Sequence, residues 1–202
     1  MTLHGDQITL ATHVDVNGIL ALQEQNLADS RGSLSVAFAR EWFVRAIAEM
    51  PVVIAREDDR IIGYVLSSPF AAQAHLPIVQ AMLRAYAILA GSYLYGPICV
   101  AHDQRGRGLA GRLFAALRAQ LPGRQATTFI RSDNAASLRA HAKMGLRQVA
   151  EFAHSGHVYM VMAESVGPEW MPDDVVSLQA ITTTEPATLE RPATPSRTSK
   201  MP

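Results

Sequence analysis

The sequence is poor in cysteine: of 202 residues only Cys99 carries a thiol. No intramolecular disulfide can form, and the cytoplasm is the expected compartment. Charge of either sign is also in short supply. Lys+Arg and Asp+Glu balance at 18 each, whereas a surface that binds nucleic-acid phosphates normally leaves a basic excess, so no nucleic-acid partner is expected. The same balance argues against a polybasic membrane anchor. Long apolar runs are missing too. Residues 85–101 carry no charge, but Gly91-Ser92 and Gly96-Pro97 interrupt them and they fall short of a span of about 20 apolar residues. No membrane association is expected. Met1-Thr2-Leu3-His4-Gly5-Asp6-Gln7 lacks the basic flank and apolar core of a signal peptide. The histidines show no His-x-x-x-His spacing and there is no Cys-x-x-Cys pair, so no metal site is expected.

What is present is apolar: 49% of the chain, enough for a substantial core in one domain. Composition changes near Gly167. Six of the eleven prolines lie from Pro168 onward, with threonines accumulating among few apolar residues. Such a segment buries too little surface to offset its ordering entropy. We therefore expect a folded domain over 1–165 and a flexible Pro/Thr-rich tail over 166–202.

Within the domain the hydrophobic period switches repeatedly. Ile8–Ala11 reads as a strand. Ile19, Leu20, Leu22 and Leu27 have helical spacing, as do Phe38, Trp42, Phe43 and Ile47 before Pro51 ends that helix. Residues 51–55 and 60–66 are β-branched runs around Glu57-Asp58-Asp59, a hairpin. Pro77 opens a helix with Ile78, Val79, Met82, Leu83 and Tyr86 on one side. A strand over 93–100, a helix over 109–121, a strand over 126–130 and a helix over 135–143 follow, and a last hairpin turns at Ser155-Gly156. The order βααββαβαβαββ implies an α/β (α+β) domain: a mixed sheet flanked by helices, with a helical insertion at about 70–90.

The chemistry centres on one turn. Gly106-Arg107-Gly108-Leu109-Ala110-Gly111 spells G-x-G-x-x-G, with Asp133 roughly 20 residues further on, so a dinucleotide reading and a nicotinamide-dependent oxidoreductase are open at this point. Spacing counts against them. A dinucleotide fold turns into its glycines directly from the strand, whereas Ala101–Arg105 intervenes here. A wider loop entered through arginine suits another pyrophosphate geometry. Its backbone N–H groups converge, the helix beginning at Leu109 adds its positive end, and Arg105 and Arg107 bring charge toward phosphate oxygens.

Arg105-Gly106-Arg107-Gly108-Leu109-Ala110 resembles the coenzyme A signature Arg/Gln-x-x-Gly-x-Gly/Ala of the GCN5-related N-acetyltransferase superfamily, behind an apolar triplet, Ile98-Cys99-Val100. Downstream, Asn134-Ala135-Ala136-Ser137 and His141-Ala142-Lys143-Met144-Gly145-Leu146 resemble the same family's Asn-x-x-Ser…Tyr-x-Lys-Leu-Gly-Phe helix. Among the departures from that pattern, His141 replaces the tyrosine and Leu146 the phenylalanine. The resemblance covers about residues 6–163.

It implies a mostly antiparallel sheet, acetyl-CoA as co-substrate, and direct acetyl transfer to a primary amine of a small molecule or peptide. A homodimer is compatible with it. A CoA-responsive binding domain without turnover is the alternative, kept open by His141. The implied cofactor residues are Ile98, Cys99, Val100, Arg105, Gly106, Arg107, Gly108, Leu109, Ala110, Gly111, Asn134, Ser137 and His141. Asn134 also suits a helix cap, and Ser137 either reaches cofactor or faces solvent. His141 at the tyrosine position is the candidate proton donor to the leaving thiolate, or else a packing residue. Cys99, on a buried strand, reads as an inert core thiol rather than a nucleophile. The general base stays open among Glu24, Glu41, His75, Tyr95 and Asp103. The acceptor pocket is expected from the two early helices, the 30–37 loop (Ser30-Arg31-Gly32-Ser33-Leu34) and the 70–95 insertion.

Overall fold

Asp58-Asp59 turns the chain back between two strands, and Asp58 takes a positive φ of 51° to do so. It joins β2 (Val53–Glu57) to β3 (Arg60–Ser68), and β1 (Gln7–Leu10) pairs along the outer edge of β2. The computed structural model describes residues 6–27, 34 and 37–165. The expected tail, 166–202, and residues 30–33 and 35–36 of the loop expected to border the acceptor lie outside the described residues.

The remaining elements follow the order read from the hydrophobic period. They are α1 (Val16–Asn26), α2 (Arg40–Glu49), α3 (Phe70–Gln73), α4 (Pro77–Ala85), β4 (Tyr93–Val100), α5 (Leu109–Gln120), β5 (Ala126–Arg131), α6 (Ala135–Lys143), β6 (Leu146–His154) and β7 (His157–Glu164). The short α3 is the one helix the periodicity did not give: four residues are too few to show a period. The seven strands lie in the order β1-β2-β3-β4-β5-β7-β6, and every pair is antiparallel except β4 with β5. This is the mixed, mostly antiparallel sheet expected.

Strand alternation assigns the two faces. Tyr64 and its register partner Cys99 face α1 and α2: Tyr64 meets Phe43 edge-on, and the Cys99 Sγ lies 3.9 Å from the Leu22 carbonyl oxygen. Gly63 faces the other way, where a Cβ would stand 2.9 Å from Leu113 Cδ1 of α5. Only glycine lets that helix approach so closely. Ile19, Phe43, Ile54, Leu113 and Leu117 are fully buried between these layers, each contributing about 1.5–3 kcal/mol against exposure. The insertion helices build a second, smaller core in which Phe70, Val79 and Met82 pack with Leu94, Phe152 and Tyr159.

Candidate active site

The two central strands part company. β4 and β5 pair only at Tyr93↔Ala126 and Leu94↔Thr127, yet β4 continues to Val100 and β5 to Arg131. Between the pairs Ser67↔Tyr95 and Val65↔Ile98, β4 uses three steps where β3 uses two, so Gly96-Pro97 forms a bulge. A bulge bends its strand, and proline offers no N–H to a ladder. The result is a notch open toward the C-terminal ends of both strands. Gly96-Pro97 was legible in the sequence as an interruption; its role in splitting the sheet was not.

Direction along β4 then follows from one bond. The Ala101 N–H donates to Ile62 O of β3 at 2.9 Å. Alternation therefore turns the N–H groups of Ile98 and Val100 to the opposite edge, into the notch. Their side chains pack toward α5, as their partners Val65 and Gly63 do. Cys99 points to α1 instead, so it offers the notch no thiol. Burial pushes that thiol up to about 12.

At the notch mouth the chain makes a 3-10 turn, His102–Gln104, and then the glycine turn. Gly106 and Gly108 both hold φ of +76°, and a Cβ on either would meet nothing within 4 Å. Glycine is required there by backbone conformation alone. Among the described residues, no backbone hydrogen bond is donated by Gly106, Arg107 or Gly108. The first N–H groups of α5, at Leu109, Ala110 and Gly111, have no intrahelical partner either. Six consecutive amides, 106 to 111, are thus left without backbone partners at a helix N-terminus, which suits an anion. The turn is latched from behind: Arg60 bonds Asp103 at 2.7 Å, Gln104 donates to Glu57 at 3.3 Å, and Arg107 donates to Gln104 at 3.4 Å. Arg105 is directed elsewhere, donating to Val100 O at 3.3 Å and Asn26 Oδ1 at 2.5 Å.

On the α5 face of the sheet, α6 brings up the third component. The Asn134 side chain caps the helix by accepting from the Ser137 N–H at 3.1 Å. His141 is buried, its ring 5.5 Å from that of Tyr95, which in turn packs on Phe114. Its Nδ1 lies 2.8 Å from Ser137 O and 3.3 Å from Ser137 Oγ. A carbonyl can only accept, so Nδ1 carries the proton and Nε2 the lone pair. Burial, only partly opposed by the Ser137 bond, pushes the His141 pKa below its ordinary value. The ring is therefore mainly neutral at pH 7.

The candidate bases fare differently. Asp103 is held by Arg60, which lowers its pKa. The Tyr95 hydroxyl is buried with no hydrogen-bond partner among the described residues, and burial raises its pKa. Glu24, Glu41 and His75 are exposed. A separate cavity of about 670 Å³ lies between α1 (Gly18, Leu22, Gln25), the 57–60 turn and Ala101, with no lining from β5 or α6. Among the described residues, no three His, Cys, Asp or Glu side chains are grouped to hold a metal, and no helix is long and apolar enough to cross a membrane.

A parallel strand pair split by a bulge thus carries a glycine turn at its mouth. The family model described as acetyltransferase (GNAT) family matches residues 19–146. The chain belongs to this family. It is an acyltransferase, and its reaction is acetyl transfer. Comparison with curated proteins gives no match. Among solved structures, this acetyltransferase is similar to yncA from Salmonella typhimurium, solved with its cofactor acetyl-CoA, at a TM-score of 0.63 and 16% identity over 84% of this chain and 98% of that one. An N-acetyltransferase from Staphylococcus aureus Mu50 gives 0.61 at 17% identity, covering 81% and 99% of the two chains. A ribosomal-protein-alanine N-acetyltransferase from Brucella melitensis gives 0.58 at 20% identity, covering 79% and 99%. At these identities the likeness is one of fold.

Proposed function

We propose that this acetyltransferase moves the acetyl group of acetyl-CoA onto a primary amine of a small molecule or peptide, by direct attack in a ternary complex. The observation that carries the reading is the set of six amides without backbone partners, Gly106 to Gly111, at the mouth of a notch where β4 has lost its pairing with β5. The fit to the co-substrate is chemical. A pyrophosphate needs backbone donors at a helix N-terminus, and an amide-bearing pantetheine arm needs a free strand edge. Arg107, exposed beside the amides, adds positive charge. On this reading Asn134 and Ser137, at the start of α6, would line the arm.

Acetyl-CoA supplies an activated thioester; the chain supplies orientation, an oxyanion donor and a proton path. The Val100 or Ile98 N–H, fixed in the notch, stabilises charge developing on the acyl oxygen with little reorganisation. His141 presents Nε2 as the free nitrogen. In this reading the amine proton passes to Nε2 as the C–N bond forms, and from Nε2 to the departing sulfur as the C–S bond breaks. The neutral ring favoured by burial is the form ready to begin.

Thermal shift provides the first test. Acetyl-CoA at about 100 times its Kd should stabilise the protein by about 2.7 kcal/mol, while NAD should leave the midpoint unmoved. Stabilisation by NAD alone would overturn the reading. Thiol release across a panel of amines then identifies the acceptor, and binding without release on any amine would favour a CoA-responsive domain.

A further inference from the structure

The guanidinium of Arg105 satisfies two groups that the fold leaves in need. Val100 O sits on the β4 edge that has lost β5, so no strand partner is available to it. Asn26, at the last position of α1, is buried, and a buried amide must find partners for both ends. Its Nδ2 donates to Leu22 O at 2.9 Å, and its Oδ1 accepts from Arg105. The backbone of Asn26 is also engaged: its carbonyl accepts the Leu34 N–H at 3.0 Å, where Leu27 and Leu34 form an isolated parallel bridge. A continuous path of hydrogen bonds therefore runs from the notch mouth, through Arg105 and Asn26, to the connection between α1 and α2.

We infer that Arg105 is a positioning residue that couples the glycine turn to Leu34, between α1 and α2, rather than a ligand of the cofactor phosphates. The inference rests on the acetyl-CoA reading of the turn. Within it, the labour divides between neighbours: backbone amides of 106–111 and the Arg107 side chain serve the phosphates, while the Arg105 guanidinium, though exposed, is engaged by Val100 O and Asn26 Oδ1. Leu34 belongs to the 30–37 loop, from which the sequence leads one to expect part of the acceptor pocket. Loosening Arg105 would then disturb acceptor binding more than cofactor binding, which is the reverse of what a phosphate ligand does.

The test uses the full chain, wild type, Arg105→Gln and Asn26→Ala. Amide hydrogen exchange at Leu34 without ligand reads the path directly. Loss of a charge-assisted hydrogen bond should speed exchange there by about tenfold in either variant, and the double variant should exchange no faster than the faster single one. Calorimetric titration with acetyl-CoA should give an Arg105→Gln Kd within about threefold of wild type. With an amine taken from the panel, the amine KM should rise severalfold while the acetyl-CoA KM holds, a split that general destabilisation would not produce. A Kd weakened by about tenfold or more with Leu34 exchange unchanged would make Arg105 a phosphate ligand and overturn the inference. Failure of the wild type to bind acetyl-CoA would instead sink the functional reading, and the exchange data on ligand-free protein would still decide the coupling.

Discussion

Nδ1 of His141 lies 2.8 Å from the carbonyl oxygen of Ser137, one helical turn earlier. That bond fixes the tautomer and aims Nε2 away from the helix. Asn134, by capping the same turn through the Ser137 N–H, holds Ser137 in place. The orientation of a candidate proton carrier thus depends on a capping asparagine seven residues before it.

His141→Gln should lower kcat by about 100-fold, in the range of general acid–base contributions, with acetyl-CoA affinity largely retained. The pH profile gives the sign. Because burial lowers the His141 pKa, the neutral ring is gained as pH rises through a value below 6.5, and kcat should rise there and then level off. A rate that falls through the same range would identify imidazolium as the working form. Thiol-release kinetics between pH 5 and 8 distinguish the two.

The glycines of the turn should not be equivalent. Gly108→Ala forces a side chain onto a left-handed φ and should cost about 1–2 kcal/mol. Gly111→Ala lies inside α5, where a Cβ would rest 4.0 Å from Met144 Cγ, an ordinary contact. It should stabilise by about 0.4–1 kcal/mol. Urea unfolding of both variants checks this. A costly Gly111→Ala would restore the close-packing role that a dinucleotide fingerprint assigns to its third glycine.

Gln23 is buried and reaches across to Phe38, donating to its carbonyl at 3.0 Å and accepting its N–H at 2.9 Å. Gln23→Leu strands both backbone groups, with a penalty of about 1–3 kcal/mol for each left buried. Chemical denaturation should show the loss, and hydrogen exchange should show it localised at Phe38. Uniform loss of protection would mean that Gln23 supports the whole core rather than the α1–α2 connection.

Cys99 should be inert in the native state. With its thiol pushed up to about 12, roughly one molecule in ten thousand carries a thiolate at pH 8. Iodoacetamide should label it only after unfolding, and Cys99→Ala should keep its turnover. Trapping of an acetylated Cys99 would contradict direct transfer.

Much of this architecture is legible in the sequence for a plain reason. Helical and strand periods, Pro77 at a helix start, Asn134 at a cap and Gly106/Gly108 in a turn are local signals, decided within a few residues by sterics and hydrogen bonding. The strand Tyr93–Val100 and the helix Ala135–Lys143 fall where those signals put them. What lies beyond local signals was settled by packing. No spacing shows that Gly96-Pro97 opens a notch, since that depends on which strands flank β4. Arg105 reads as a phosphate ligand until α1 is folded against β4, because Asn26 is 79 residues away in sequence. His141 reads as a candidate proton donor of ordinary basicity until α6 buries it against Tyr95, which favours the neutral ring. Sequence determined the elements, the turn and the family; tertiary structure decided direction, burial and partner, because those belong to the neighbours that folding supplies.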